Sequence, residues 1–313
     1  MTRALHLLRG AFFAFLSIVG FASTFVVGGT LTKELHVAPG VLAAVRFVVA
    51  GGMLLALSLA TPKGRSKLFA IPKSEWKRLL WLGPLGTSVM AWCVFMGCAR
   101  VSTANASMAD ALSPLGIFLV GVLLTRRATF LQMLGLAFGF AGALLVVQIV
   151  TPGGIQLSAY GIGDVFILLS ALAWGVYSVC GREPIRRIGA SAFSTWTMLL
   201  GAGFFLLLLA AGELLDLAGA TSFQIVWPHD ARTWGLVLFL GLFSTLLPFW
   251  TWNAAQKDLP LSVLGATAYF TPVVAVLMAW WLVGEAATPC QWLGTLLICA
   301  SALVESGRKH GNE

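Results

Sequence analysis

An arginine and an aspartate stand deep inside long apolar runs: Arg46 in AAVRFVVAGG and Asp110 in ASMADALSPL. Taking an ionised side chain out of water is costly unless a partner compensates. A charge within such a run is therefore a functional candidate by default. Counted at ~1.5 Å per helical residue, both lie roughly 8–10 Å in from the same end of their helices. That placement lets them pair across two neighbouring helices, locking them together. The alternative chemistry is binding, with Asp110 taking a proton or an ammonium and Arg46 a carboxylate. Both readings stand on the residues alone.

Other reactive residue types form no constellation. His6, His36, His229 and His310 are scattered, and the five cysteines show no CxxC or Cys/His ligand spacing, so neither a metal site nor a disulfide framework is expected. GIGD at 161–164 fits the GxGD of intramembrane aspartyl proteases, but that chemistry needs a second aspartate to share the proton. Asp110 lacks the preceding Tyr of that partner motif, and no PAL sequence follows. No catalytic residues are assigned, and no enzyme or cofactor is expected.

The elements that must position these residues are membrane spans. Of 313 residues, 58% are apolar and 10% charged, with a mean hydropathy of +0.90, against roughly 25% charged in soluble domains. At about 20 residues per span, the chain divides into ten: 9–29, 40–60, 79–97, 105–125, 129–149, 161–181, 190–211, 234–254, 260–283 and 288–305. No second, soluble domain fits. The net charge of +8 follows the rule that Lys and Arg collect on the cytoplasmic side. With the N-terminus inside, 16 basic residues fall in inner segments and 3 in outer ones. Both termini are thus expected in the cytoplasm, and the charge indicates orientation rather than a nucleic-acid partner. The run 10–29 exceeds a signal-peptide core of ~7–15 residues and is read as the first span.

The chain repeats itself. Leu82–Ala128 aligns without gaps to Leu240–Ala286, matching Gly83 to Gly241, Thr87 to Thr245, Trp92 to Trp250 and Pro114 to Pro272. More weakly, Leu16, Ser17 and Phe21 match Leu169, Ser170 and Trp174. Two halves of five spans follow, 1–150 and 151–313. Five is odd, so the second half enters from the opposite face. Inverted repeats of this kind mark alternating-access transporters, with substrate held near the midplane between halves. Pro114 and Pro272 are expected to free the carbonyls of Asp110 and Ala268. Irregular backbone is tolerated at that depth only where it is buried or lines a cavity, so both prolines are candidate hinges.

The runs SPLGIFLVGVLLTRRATFLQMLGLAFGFAGALLV (113–146) and TPVVAVLMAWWLVGEAATPCQWLGTLLICASALV (271–304) resemble the two EamA-type repeats of the drug/metabolite transporter superfamily. The pattern is a Pro in the fourth helix, an acid at its end, then Gln and Gly opening the fifth. Arg46 stands where that family often has an Arg, and ALAWGVYSV (171–179) resembles its sixth helix. Arg126 and Arg127 replace the first acid, and only Glu285 keeps it. The resemblance implies an all-α bundle of ten transmembrane helices in two inverted five-helix repeats around a central cavity, helices five and ten lying outside it.

Most of the twelve tryptophans sit near span ends, where an interfacial belt accounts for them. Trp174 lies deeper. Trp92 and Trp250 fall at opposite depths, as a pair of gates would. Met90, Phe249, Trp252, Asn253 and Tyr269 complete an aromatic and thioether surface suited to a mainly apolar ligand. With the resemblance, this leads to the expectation of an inner-membrane secondary transporter exporting small metabolites, aromatic or other apolar amino acids first among them. A passive facilitator or channel, or a multidrug exporter of the same fold, are the alternatives. Its surroundings are the bilayer and a small-molecule substrate; nothing in the pattern specifies an oligomeric partner.

Overall fold

The computed structural model describes residues 3–100, 103–126, 129–146, 150–151, 153–155, 162–217, 227–271, 273–274 and 288–306. Their architecture is almost wholly helical. The only strands among them are β1 (Val150–Thr151) and β2 (Gly154–Ile155), two residues each and antiparallel. Six helices are long and apolar enough to cross a bilayer among the described residues, joined by shorter apolar ones.

The first two spans are α1 (Arg3–Gly29) and α2 (Pro39–Leu59). Between the second and third spans, α3 (Pro62–Phe69) is a short helix opened by Pro62, with Thr61 accepting from the Gly64 amide at 3.1 Å. The third span is not one helix. It runs as α4 (Lys73–Gly83), a π-helical turn at Pro84–Val89, and α5 (Met90–Cys98). The fourth and fifth spans are α6 (Thr103–Thr125) and α7 (Phe130–Val146). The sixth and seventh are α8 (Ile162–Ile188) and α9 (Ala190–Leu217), the former continuing past the expected end at 181. The eighth is again divided: α10 (Ala231–Gly241), a π-helical turn at Leu242–Leu246, and α11 (Leu247–Ala255). The ninth is described through α12 (Leu261–Thr267) and the residues just after it, and the tenth is α13 (Pro289–Ser306).

The two π turns occupy equivalent places in the repeat, one beginning after Gly83 and the other after Gly241. A wide turn strands carbonyls that the α-helical ladder would have used, and in lipid these must find donors within the protein. The repeated threonines supply them. Thr87 Oγ1 donates to Gly83 O at 2.6 Å and Thr245 Oγ1 to Leu240 O at 2.7 Å. Pro248 lacks an N–H, which frees the Ser244 carbonyl; Thr24 Oγ1 of α1 donates to that carbonyl at 3.0 Å. Sequence identity at these positions was visible as repetition; the widening of the helix was not.

Packing follows the repeat. Helix α1 lies along α11 as α8 lies along α5, and α2 packs on α9, its own counterpart. The glycines opening the π turns fix the depth of these crossings. A side chain at Gly83 would come 2.9 Å from Thr197 O, and one at Gly241 2.7 Å from Val49 Cγ1 and 3.3 Å from Arg46 O. The two-fold relation thus sets Arg46 in α2 against Thr197 in α9. Helices α7 and α13 pair with each other to one side: Gly142 lies against Gly294 O, and Ser301 Oγ donates to Gly135 O at 2.7 Å.

Gly86, within the first π turn, touches the Tyr177 ring so closely that an added Cβ would stand 2.2 Å from Cδ2. Gly86→Ala is expected to lower stability by about 1–3 kcal/mol through overpacking, read as a lower melting temperature in detergent. Gly52→Ala, where nothing lies within 4 Å, should leave it unchanged or raise it.

Candidate functional site

A cavity opens where the two halves meet. From the first half it is lined by Phe21, Thr24 and Phe25 of α1, Arg46 of α2, Met90 and Val94 of α5, and Ser113 of α6. From the second come Ser170 and Trp174 of α8, Trp252 of α11, and Ala268 and Thr271 of the ninth span. Its empty space is about 590 Å³. Aromatic and thioether walls with a few polar groups are the usual composition of a small-ligand site.

Arg46 supplies the charge in this wall. It is 2% exposed, yet its Nε and Nη1 have no hydrogen-bond partner among the described residues. What holds the guanidinium is aromatic: Cζ lies 4.7 Å from the Phe47 ring centroid and 5.3 Å from that of Phe95. Cation–π contacts offset part of the desolvation but leave in-plane N–H donors unused. The side chain of Asp110, and with it the pairing with Arg46 expected from sequence, lies outside the described residues.

Beneath the cavity an aromatic layer closes the bundle. Trp174 stacks on Tyr177 at 5.4 Å and meets Trp252 and Phe249, each at 5.2 Å. Phe21 and Phe47 pack edge-on against Phe249. Below this layer sits a neutral polar cluster. Asn253 Nδ2 donates to Tyr177 OH at 2.9 Å and to Ser194 Oγ at 2.8 Å; Gln256 Nε2 reaches Asn253 Oδ1 at 3.4 Å. All four residues are buried. By the repeat, Asn253 and Phe95 are equivalent, as are Thr197 and Arg46. One half thus carries a cation over an aromatic ring where the other carries an amide and hydroxyls.

Two ion clusters tie the halves together at the face carrying the N-terminus. Arg9 of α1 donates to both oxygens of Asp258, which follows α11, at 2.7 and 2.6 Å, and His6 Nδ1 lies 3.0 Å from the same carboxylate. Glu75 of α4 accepts from Arg187 of α8 at 2.9 Å, while Arg78 of α4 donates to Glu183 of α8 at 3.2 Å. Arg187 also bonds Glu183. Both carboxylates that face inward are nearly sealed, Asp258 at 3% and Glu75 at 1% exposure. The Arg9 hydrogen bond, aided by His6, holds the Asp258 carboxyl below the usual carboxylate range against the opposing effect of burial.

Of the residues singled out from sequence, the cavity wall contains Met90, Trp174, Trp252 and Arg46. Phe249 and Asn253 stand in the layers beneath. Trp250 is nearer the N-terminal face, edge-on to Phe13 and donating to Ser191 Oγ at 3.0 Å. Trp92 packs on Phe166 and Phe205, away from the lining. Tyr269 belongs to a separate cluster with Val273 and Ile298, against the α7–α13 pair. Pro114 is buried within α6, next to the lining residue Ser113. Pro272 lies outside the described residues. Ala268, whose carbonyl it would free, lines the cavity and accepts from Thr271 N at 3.0 Å. Thr24, Ser113, Ser170 and Thr271 were not singled out, because hydroxyls on membrane helices usually bond their own backbone; Ser170 does, to Ile167 O.

Comparison with known proteins gives this arrangement its family. The profile of the EamA-like transporter family matches residues 8–148 and again 161–306. The chain belongs to the EamA-like transporter family. A Bacillus subtilis protein described as uncharacterized transporter YyaM is 26% identical over 282 residues, 87% of this chain and 86% of that one. An uncharacterized transporter of Archaeoglobus fulgidus is 23% identical over 302 residues, 94% of this chain and 96% of its own. The Escherichia coli K12 protein described as uncharacterized inner membrane transporter YedA is 26% identical over 271 residues, 86% and 82% of the two chains. A solved crystal structure covers 97% of this chain and 98% of its own at a TM-score of 0.73 and 22% identity, which shows the shared fold. This EamA protein is therefore a multi-span membrane transporter of the ten-helix fold, acting on a small molecule.

Two expectations follow. A guanidinium buried without an acceptor costs stability, whereas breaking a buried ion pair costs about 3–5 kcal/mol. Arg46→Met should therefore raise the melting temperature in detergent; a fall of the size expected for a broken ion pair would show Arg46 to be structural. Asp258, with its lowered folded pKa, stabilises the closed N-terminal face above the unfolded carboxylate value of ~3.9 and loses that contribution as pH falls through the lower folded one. The melting-temperature gap between wild type and Asp258→Asn should hold from pH 7 to 5 and close only below about 4.

Proposed function

We propose that the protein is a secondary transporter of the inner membrane that exports small metabolites, aromatic or other apolar amino acids above all, by alternating access between halves 1–150 and 151–313. The observation that carries this reading is the cavity itself. It is lined by both halves, walled by Phe21, Met90, Trp174 and Trp252, and contains one cation in Arg46. A phosphate-bearing substrate would call for several Arg or Lys side chains. An apolar amino acid needs an aromatic wall and one site for its carboxylate.

The contacts between halves support alternation as the mechanism. Arg9 with Asp258, and Glu75 and Arg78 with Arg187 and Glu183, cross from one half to the other at a single face. The aromatic layer of Trp174, Tyr177, Phe249 and Trp252 separates them from the cavity. Opening that face means parting both ion clusters and this layer, while the cavity closes at its other end. The 16-to-3 partition of basic residues supports a cytoplasmic N-terminal face. On that orientation this is a cytoplasm-closed state, and Pro114 and Pro272 are the positions about which the fourth and ninth spans bend.

Purified protein reconstituted into proteoliposomes, assayed with labelled phenylalanine, leucine and lysine with and without a pH gradient, tests the reading. The expected result is movement of phenylalanine and leucine that exceeds lysine and responds to the gradient. Movement without a gradient response leaves a facilitator, and preference for lipophilic cations a multidrug exporter. Absence of movement for every amino acid overturns the proposal.

A further inference from the structure

The unused hydrogen-bonding capacity of the cavity has one sign. Among the described lining residues, the buried atoms without partners are Arg46 Nε, Arg46 Nη1 and Trp252 Nε1. All three are donors, since guanidinium and indole N–H groups cannot accept. Arg46 is 2% and Trp252 1% exposed, so bulk water does not satisfy them. Other buried atoms without partners, such as Ser88 Oγ, Ser178 Oγ and Gln256 Oε1, belong to side chains outside the cavity wall. A buried donor left unmade costs about 1–3 kcal/mol, more when charged, and two such residues on one small cavity define what must arrive there.

We infer that Arg46 and Trp252 form the head-group subsite of the cavity and that it takes a carboxylate, the substrate's anionic end, with its ammonium dispensable for recognition. This rests on the cavity being the transport site. A carboxylate brings only acceptors and matches the guanidinium with two parallel bonds, filling the donors that the described residues leave unused. Phe47 and Phe95 hold the guanidinium by cation–π contact, so little order is lost when the oxyanion docks. Trp252 then offers two surfaces to one ligand: its N–H to an oxygen and its ring, 5.2 Å from Trp174, to the apolar body. A substrate whose only charge is an ammonium would meet Arg46 as a like charge in a dry wall, which is disfavoured. The two-fold relation sharpens the point. Thr197, the counterpart of Arg46, is already engaged, donating to Phe193 O and lying 3.4 Å from Tyr177 OH, so the cation of the subsite comes from the first half and has no twin in the second.

The test is competition against labelled L-phenylalanine bound to the full-length protein in detergent, using 3-phenylpropionate, which lacks the ammonium, and phenethylamine, which lacks the carboxylate. Phenylpropionate should compete, and phenethylamine should be at least tenfold weaker. Arg46→Gln should weaken phenylalanine binding at least tenfold. Arg46→Lys should fall between, because an ammonium keeps the charge without the fork, and Trp252→Phe should lose several-fold while keeping the ring. Should Arg46→Gln fail to give a monodisperse protein, the wild-type competition order and Arg46→Lys decide the matter. Equal competition by phenethylamine, or wild-type affinity in the Arg46 variants, overturns the inference and leaves the transport reading standing. If wild type binds none of the three, the proposed substrate class falls, and the inference with it.

Discussion

A buried guanidinium with two N–H donors unused among the described residues is the constraint around which this molecule is organised. Arg46 of α2 is 2% exposed, and among the described residues it is the ring faces of Phe47 and Phe95 that meet its guanidinium. Ring faces soften the desolvation cost without quenching the charge. The result is a cavity wall whose positive end remains chemically open. Stability given up at a binding site is common where ligand contacts complete what folding leaves unmade.

The backbone around Arg46 serves the same end. The π turn in the eighth span brings Gly241 against α2 at Arg46 and Val49, and its twin in the third span brings Gly83 against α9 at Thr197. Such turns recur at functional positions because they re-aim the helix beyond them. Here α5 and α11 continue past the turns to present Met90 and Trp252 to the cavity. Each wide turn leaves carbonyls that membrane lipid cannot satisfy, and Thr87, Thr245 and Thr24 donate to them. Helix shape, interhelical contact and site geometry are thus settled by the same few residues.

The ion clusters and the aromatic layer perform a different task at the other end. Arg9–Asp258 and the Glu75–Arg187–Glu183–Arg78 group are exposed on their basic side and sealed on one acidic side. Exposed ion pairs contribute little, whereas a sealed carboxylate is costly to strip of its partner. Contacts of this intermediate kind hold a face shut while still yielding when a larger rearrangement compensates. Between them and the cavity, Asn253, Tyr177 and Ser194 join in a neutral hydrogen-bonded network, which brings no charge to the floor.

Composition and spacing by themselves determined that the chain is a ten-span bundle in two halves, because lipid admits only helices whose backbone bonds close internally and repetition survives in local residue identity. They also pointed to Arg46 as a charge within an apolar run, to Trp174 as a tryptophan away from span ends, and to Trp252 as part of an aromatic surface. Tertiary structure alone decided which aromatic residues face the cavity and which pack elsewhere: Tyr269 serves the α7–α13 pair and Trp92 packs on Phe166 and Phe205, although their spacing resembles that of true wall residues. Periodicity reports that a helix face is apolar, but not whether lipid, another helix or a void lies against it. The division of the third and eighth spans was equally hidden, because a π turn depends on which neighbour can supply a donor across the gap. So was the company Arg46 keeps in the cavity wall, which includes Trp252, on a helix some two hundred residues further along the chain.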